Sequence, residues 1–221
     1  MNAIEILKNE HRVIEQALRC LDGVADKWNL KNELATISAR KALDFLRHFA
    51  DGSHHHKEEQ LLFPKLESRG VANEGGPIGL LMSEHVTGRL LVQHMENAIK
   101  SYEHGDHDAG YYFVEASRRY IPLLKRHIAK EDNCLFEMAN AALLDQDQEE
   151  LLAAFNQMED RVSNMGKHVF YLHLVDELSQ ELGLPAIGTM NKNRSACGCM
   201  DLMKAGQPGK LTDDGQRHVF K

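Results

Sequence analysis

Apolar residues recur along this chain at intervals of three and four, the spacing that lines one face of an α-helix. Nowhere do they alternate with the period of two that marks a half-buried strand. Over residues 2–28 the stripe is Ile4, Leu7, Ile14, Leu18, Leu21 and Val24, with charged residues between its members. A second helical region starts near Leu34 and continues through Ala42, Phe45, Leu46 and Phe49. Asp51-Gly52-Ser53 is a turn-forming cluster and is expected to interrupt it, with Ser53 capping a continuation over 54–68. Gly75-Gly76-Pro77 marks a turn, after which the pattern predicts helices over 78–103, 109–143 and 148–182. Pro122 should kink the fourth helix one turn before His127, and Gly183-Leu184-Pro185 should end the fifth. Residues 186–221 are rich in Gly, Asn, Lys, Asp and Gln and poor in apolar anchors, so they read as a tail.

Four long helices with short connections predict an all-α fold, an up-down four-helix bundle over residues 1–145. An accessory helix over 146–184 would pack on it, and 185–221 would be a flexible tail carrying Cys197-Gly198-Cys199. Those two thiolates alone do not complete a tetrahedral metal site; Cys20 and Cys134 fall within helical patterns and read as small buried side chains. With 221 residues and 43% hydrophobic content the chain can bury a sizeable core. A net charge of −7 leaves no broad basic surface for a phosphate backbone, so nucleic acid is not an expected partner. No run of eighteen apolar residues suggests a membrane span, and the opening residues lack a signal-like architecture, which makes a cytoplasmic location the expectation.

The chemistry lies in a repeat. Asn9-Glu10-His11 is followed by His54-His55-His56-Lys57-Glu58-Glu59, and Ser83-Glu84-His85 by His127-Ile128-Ala129-Lys130-Glu131-Asp132. His85 stands 74 residues after His11, and His127 and Glu131 stand 73 after His54 and Glu58. Residues four apart on an α-helix share a face, so His54 with Glu58 and His127 with Glu131 each aim an imidazole and a carboxylate at one point. With His11 and His85 this makes four nitrogen and two oxygen donors, a mixture that suits iron or manganese and accepts zinc. Two ions bridged by Glu58 and Glu131 use that set more economically than one. His55 and Glu59 are also four apart and remain neighbours of the site, as a seventh ligand or as groups behind the ligands. Glu10 and Glu84 point about 100° away from the adjacent histidines, which suits a surface or supporting place better than a ligand's. His168 is a further near-site residue.

These residues, above all Lys-Glu-Glu-Gln-Leu-Leu-Phe-Pro at 57–64 and His-Ile-Ala-Lys-Glu-Asp at 127–132, resemble the hemerythrin-like HHE cation-binding family over roughly residues 1–140. The resemblance implies a four-helix bundle holding a non-haem di-iron centre, with His11, His54, Glu58, His85, His127 and Glu131 as ligands and the two carboxylates as bridges. Oxygen-carrying hemerythrins place another histidine four residues after the third-helix histidine; here that position is Arg89. One lost imidazole implies a more open or more symmetric site and argues against simple reversible oxygen carriage.

Two non-haem iron ions are therefore the expected cofactor, with manganese or zinc as alternatives. The expected function is to bind, sense or react with a small oxidant: oxygen, peroxide or nitric oxide. Iron storage, delivery or repair of iron centres without turnover is the alternative, and a helical interaction module with a zinc site a third reading. No protein partner can be named from the sequence.

Overall fold

The computed structural model describes residues 2–161 and 165–185. Every element among them is helical: α1 (Ala3–Lys31), α2 (Thr36–Phe45), α3 (Phe63–Ser68), α4 (Pro77–Glu103), α5 (Ala109–Lys130), α6 (Phe136–Ala142), α7 (Asp145–Arg161) and α8 (Met165–Glu181). The starts and stops follow local chemistry. Asn2 accepts from the Glu5 amide while the Glu5 carboxylate accepts from the Asn2 amide, a reciprocal cap on α1. Asn32 closes the same helix in the left-handed conformation, and Pro77 occupies the first turn of α4, where its missing N–H costs nothing.

The expected break at Asp51-Gly52-Ser53 does not occur. Wide π-helical turns over Leu46–His55 and Glu58–Leu62 carry the chain without interruption from α2 into α3. A third π-helical segment, Glu131–Leu135, joins α5 to α6. All three lie where the predicted ligands are, and an i→i+5 turn inserted in an α-helix is a recurrent device at functional sites. Pro122 lies inside α5, which continues past it.

Two apolar clusters are separated by a polar layer. One is built from residues such as Ile4, Leu7, Phe63, Leu81, Phe136 and Phe155, the other from Ile14, Leu18, Phe45, Phe49, Met95, Phe113 and Leu124. Along α1 the chain passes from Leu7 through His11 to Ile14, and from α2 to α3 it returns from Phe49 through His54 to Phe63. Helices α4 and α5–α6 repeat the passage at His85 and His127. Each large side chain buried in these clusters contributes about 1.5–3 kcal/mol relative to exposure, and the polar layer is clamped between them.

The single accessory helix expected over 148–182 is described as α7 and α8, with residues 162–164 outside the described residues. Together they run along the α2–α3 path in the opposite sense: Asp147 pairs with Arg69, Glu159 with Lys57, Tyr171 with Asp44 and Glu181 with Lys41. On the inner side α8 meets α1, where Gln16 donates to the Ser179 hydroxyl oxygen at 2.7 Å. Cys197 and Cys199 lie outside the described residues.

Close packing between α1 and α5 rests on Gly110. A Cβ placed there would lie 2.2 Å from Cζ3 of Trp28, whereas one at Gly88 would meet nothing nearer than 3.5 Å. Gly110→Ala should therefore destabilise the fold by about 1–3 kcal/mol through overpacking, while Gly88→Ala should be neutral or stabilise by up to about 1 kcal/mol. Urea unfolding of the two variants beside the unmodified protein gives both numbers.

Candidate metal centre

The polar layer brings all six predicted residues together. Glu131 turns one oxygen to His11 (Oε2 to Nε2, 3.2 Å) and the other to His127 (Oε1 to Nε2, 3.2 Å). Glu58 does the same for the other pair, with Oε1 3.4 Å from His54 Nε2 and Oε2 3.6 Å from His85 Nε2. The Nε2 atoms of His85 and His127 are 3.0 Å apart. Two donor groups result, each with its ligand atoms within 4.8 Å of one another: His11, His54, Glu58 and Glu131, and beside it His55, Glu58, His85 and His127.

His55 thus joins the second group. On a regular α-helix it would point about 100° away from His54, but in the wide turn both imidazoles are buried, and only His56 of the triplet faces out. The His55 ring stacks on His85 with centroids 3.9 Å apart. Arg89, standing where an oxygen carrier would have an imidazole, instead donates to Asp51 Oδ1 (2.7 Å) and Glu59 Oε1 (2.6 Å). The imidazoles divide unevenly, two in one group and three in the other.

Each of these histidines has its outer nitrogen against a carboxylate. Nδ1 of His11 meets Asp132 (2.7 Å), of His54 Glu10 (3.0 Å), of His55 Asp51 (3.4 Å), of His85 Glu59 (2.7 Å) and of His127 Glu84 (3.0 Å). An ionised carboxylate only accepts, so Nδ1 carries a proton and Nε2 faces inward, the nitrogen that would ligate a metal once it has given up any proton of its own. The carboxylates are held by cations in turn: Asp132 by Arg12, Glu10 by Lys57, Glu84 by Lys130, and Asp51 and Glu59 by Arg89. The repeat runs through this layer too, Glu10–His54–Lys57 recurring as Glu84–His127–Lys130 and His11–Asp132 as His85–Glu59.

A supporting place is expected from the sequence for Glu10, Glu84 and Glu59, but not for the cations behind them, Lys57 and Lys130 among these. Their signal was the repeat itself, in which Lys57-Glu58-Glu59 and Lys130-Glu131-Asp132 match position by position. His168 lies further out, its ring 5.2 Å from Phe49, and forms a third, less buried group with Glu10 and Glu159.

The electrostatics describe a site built for cations. Burial and the nearby Glu131 charge push Glu58 well above the usual carboxylate range. Burial would raise Glu131 as well, but His127 and His11 hold it well below that range. All four carboxylate oxygens of the pair are buried without a hydrogen-bond partner, as are Nε2 of His11 and His54. Orphaned polar atoms cost about 1–3 kcal/mol each in a dry core, and their convergence fits bound metal. On the His55–His85 side a cleft of about 310 Å³ opens, bounded by Gly88, Arg89, Val92, Gln93 and Tyr120.

Comparison with known proteins agrees with this geometry. A family model described as the hemerythrin HHE cation binding domain matches residues 2–139. Uncharacterized proteins of Mycobacterium bovis and Mycobacterium tuberculosis are 22% identical over 184 residues, 83% of this chain and 71% of theirs. No solved structure matches.

Two predictions follow from the buried groups. Burial holds His54 and His55 down at about 4 and His85 at about 3, against 6.5 for a free imidazole. The unfolded chain therefore binds more protons between those limits, and stability is lost as pH falls from 6.5 toward 4. Glu10, which burial would raise but His54 and Lys57 pull down to about 2, extends the loss below 4.5. His127 behaves oppositely: burial lowers it, Glu131 and Glu84 override and push it up to about 9, so its contribution is complete below 6.5 and lost as pH rises through 9. Chelator-treated protein should accordingly be most resistant to urea between these arms, as the helical circular dichroism signal would record. Separately, Glu84→Gln should weaken metal binding about 10–100-fold by freeing the His127 ring, measured by competition against a chromophoric chelator.

Proposed function

As the family match over residues 2–139 establishes, the chain belongs to the hemerythrin HHE cation-binding family, and we propose that it holds two iron ions and binds, senses or reacts with a small oxidant. One observation carries the reading: the oxygens of Glu58 and Glu131 are divided between two groups of imidazole nitrogens, with all four oxygens buried and unpartnered. A carboxylate so placed would offer one oxygen to a cation on each side. Mixed nitrogen and oxygen donors favour iron or manganese over calcium, and zinc would be accepted without redox chemistry. We read the alternating passage of the helices between the two apolar clusters as an up-down four-helix bundle with α7 and α8 as its accessory segment.

Iron bound here would supply electrons to a small oxidant at an open coordination position. The chain's own residues set the conditions. Glu58 and Glu131 would set the spacing of the two positions, and the five imidazoles are aimed inward through Nε2 by their Nδ1 partners. Donor counting leaves the His11–His54 side one imidazole poorer, so it keeps more room for an exogenous ligand. The apolar clusters above and below exclude bulk water, and the cleft beside His55 and His85 offers a route for a small ligand. Oxygen, peroxide and nitric oxide all fit these limits. No described helix is long and apolar enough to cross a membrane, and a cytoplasmic protein acting without nucleic acid is the setting proposed.

Metal analysis and the visible spectrum of untagged protein test the metal content, and stopped-flow mixing of the ferrous protein with oxygen or peroxide tests the reaction. Rapid oxidation is expected, whereas slow iron release to an acceptor would favour storage or delivery. Glu58→Ala and Glu131→Ala should lose most of the bound metal while keeping the helical signal; full metal loading in both variants would contradict the bridging role.

A further inference from the structure

The Glu–His–Lys relay behind the ligands is repeated in the two halves of the metal layer but ends differently in each. On the α4–α5 side the chain of contacts is His127, Glu84, Lys130, and among the described residues it stops there. On the α1–α2 side it is His54, Glu10, Lys57, and then Glu159 of α7: His54 Nδ1 to Glu10 Oε2 is 3.0 Å, Lys57 Nζ to Glu10 Oε1 2.5 Å, and Lys57 Nζ to Glu159 Oε1 2.6 Å. Lys57 is fully buried, with the Phe155 ring of α7 at 5.8 Å from its ammonium. Water therefore does not screen this relay at its centre, and each hydrogen bond polarises the next.

We propose that Glu159 is a positioning residue through which the docking of α7 and the oxidation state of the metal centre regulate each other. The proposal rests on the two-iron reading above. A carboxylate behind a ligand imidazole raises the ligand's basicity. Lys57 draws charge from Glu10, and Glu159 shares that ammonium and so leaves Glu10 the stronger acceptor for His54. Docked α7 thus enriches electron density on the His54 side and favours the oxidised state. Coupling free energies are reciprocal, so oxidation must tighten α7 by the same factor that α7 favours oxidation. The accessory segment is thereby an output element for the centre, placed on one half of an otherwise repeated relay.

The test uses the full-length iron-loaded protein with Glu159→Gln and, as a control, Glu150→Gln, which removes the α7 ion pair to Lys65 far from the relay. Spectroelectrochemical titration should show Glu159→Gln with a more positive midpoint potential, corresponding to a loss of about three- to tenfold in the oxidised-to-reduced ratio at fixed potential. Glu150→Gln should leave it unchanged, and Glu159→Asp should recover part of the shift. Hydrogen exchange in α7 should be slower in the oxidised than in the reduced protein, and Glu159→Gln should abolish that difference. An unaltered potential in Glu159→Gln that still shows a two-iron spectrum overturns the relay and leaves the metal reading standing. Equal shifts in both Gln variants overturn it as well, and absence of two irons from the unmodified protein removes both readings together.

Discussion

Two carboxylates face each other in a dry interior, and much of the structure answers to that fact. Like charges at such distances cannot both persist unless cations or protons compensate them. Glu58 is pushed toward its protonated form and Glu131 is held ionised by His11 and His127. The imidazoles that provide this compensation need carboxylates of their own, and those need Arg12, Lys57, Arg89 and Lys130. What looks like a rich supply of buried charge is one nested sequence of compensation around the Glu58–Glu131 pair.

The apolar clusters above and below make that sequence consequential. In water such ion pairs would be worth little; between Phe63, Phe136 and the stripe from Ile14 to Trp28 they lie where dielectric screening is weak. His11 stacks on Phe136 and His85 on Phe63, at 5.4 and 6.0 Å between centroids, so the same aromatic residue of each repeat closes the site from the same side. Packing and ligand orientation are not separable here.

Helix identities and six inward-facing donors could be read from the chain because both depend on regular spacing. The stripe from Ile4 to Val24 and the 73-residue offset of His54–Glu58 to His127–Glu131 are periodic signals, and burial at 0–1% shows what that period encodes. His55 was not decidable, since whether it shares a face with His54 depends on turn width, and a π-helical turn has no residue signature comparable to a cap. The same wide turn erased the break expected at Asp51-Gly52-Ser53: composition there argues for a turn, but Asp51 pairs with Arg89 and His55 and the segment stays helical. Lys57 and Lys130 were legible as matched positions and not as buried ones, because a lysine carries no sign of burial until its carboxylate partners, 47 and 46 residues away, are placed.

The duplicated layout has a consequence for how the molecule holds together. Neither donor group belongs to one repeat: the first takes Glu131 from the second half, and the other takes His55 and Glu58 from the first. A cation in either position would be a stitch across the seam between the halves, which follow one another in the chain through the connection between Ser68 and Pro77. A protease nick in that connection would leave two fragments still fastened at their centre, and stripping the ions would loosen the seam before it loosened either half.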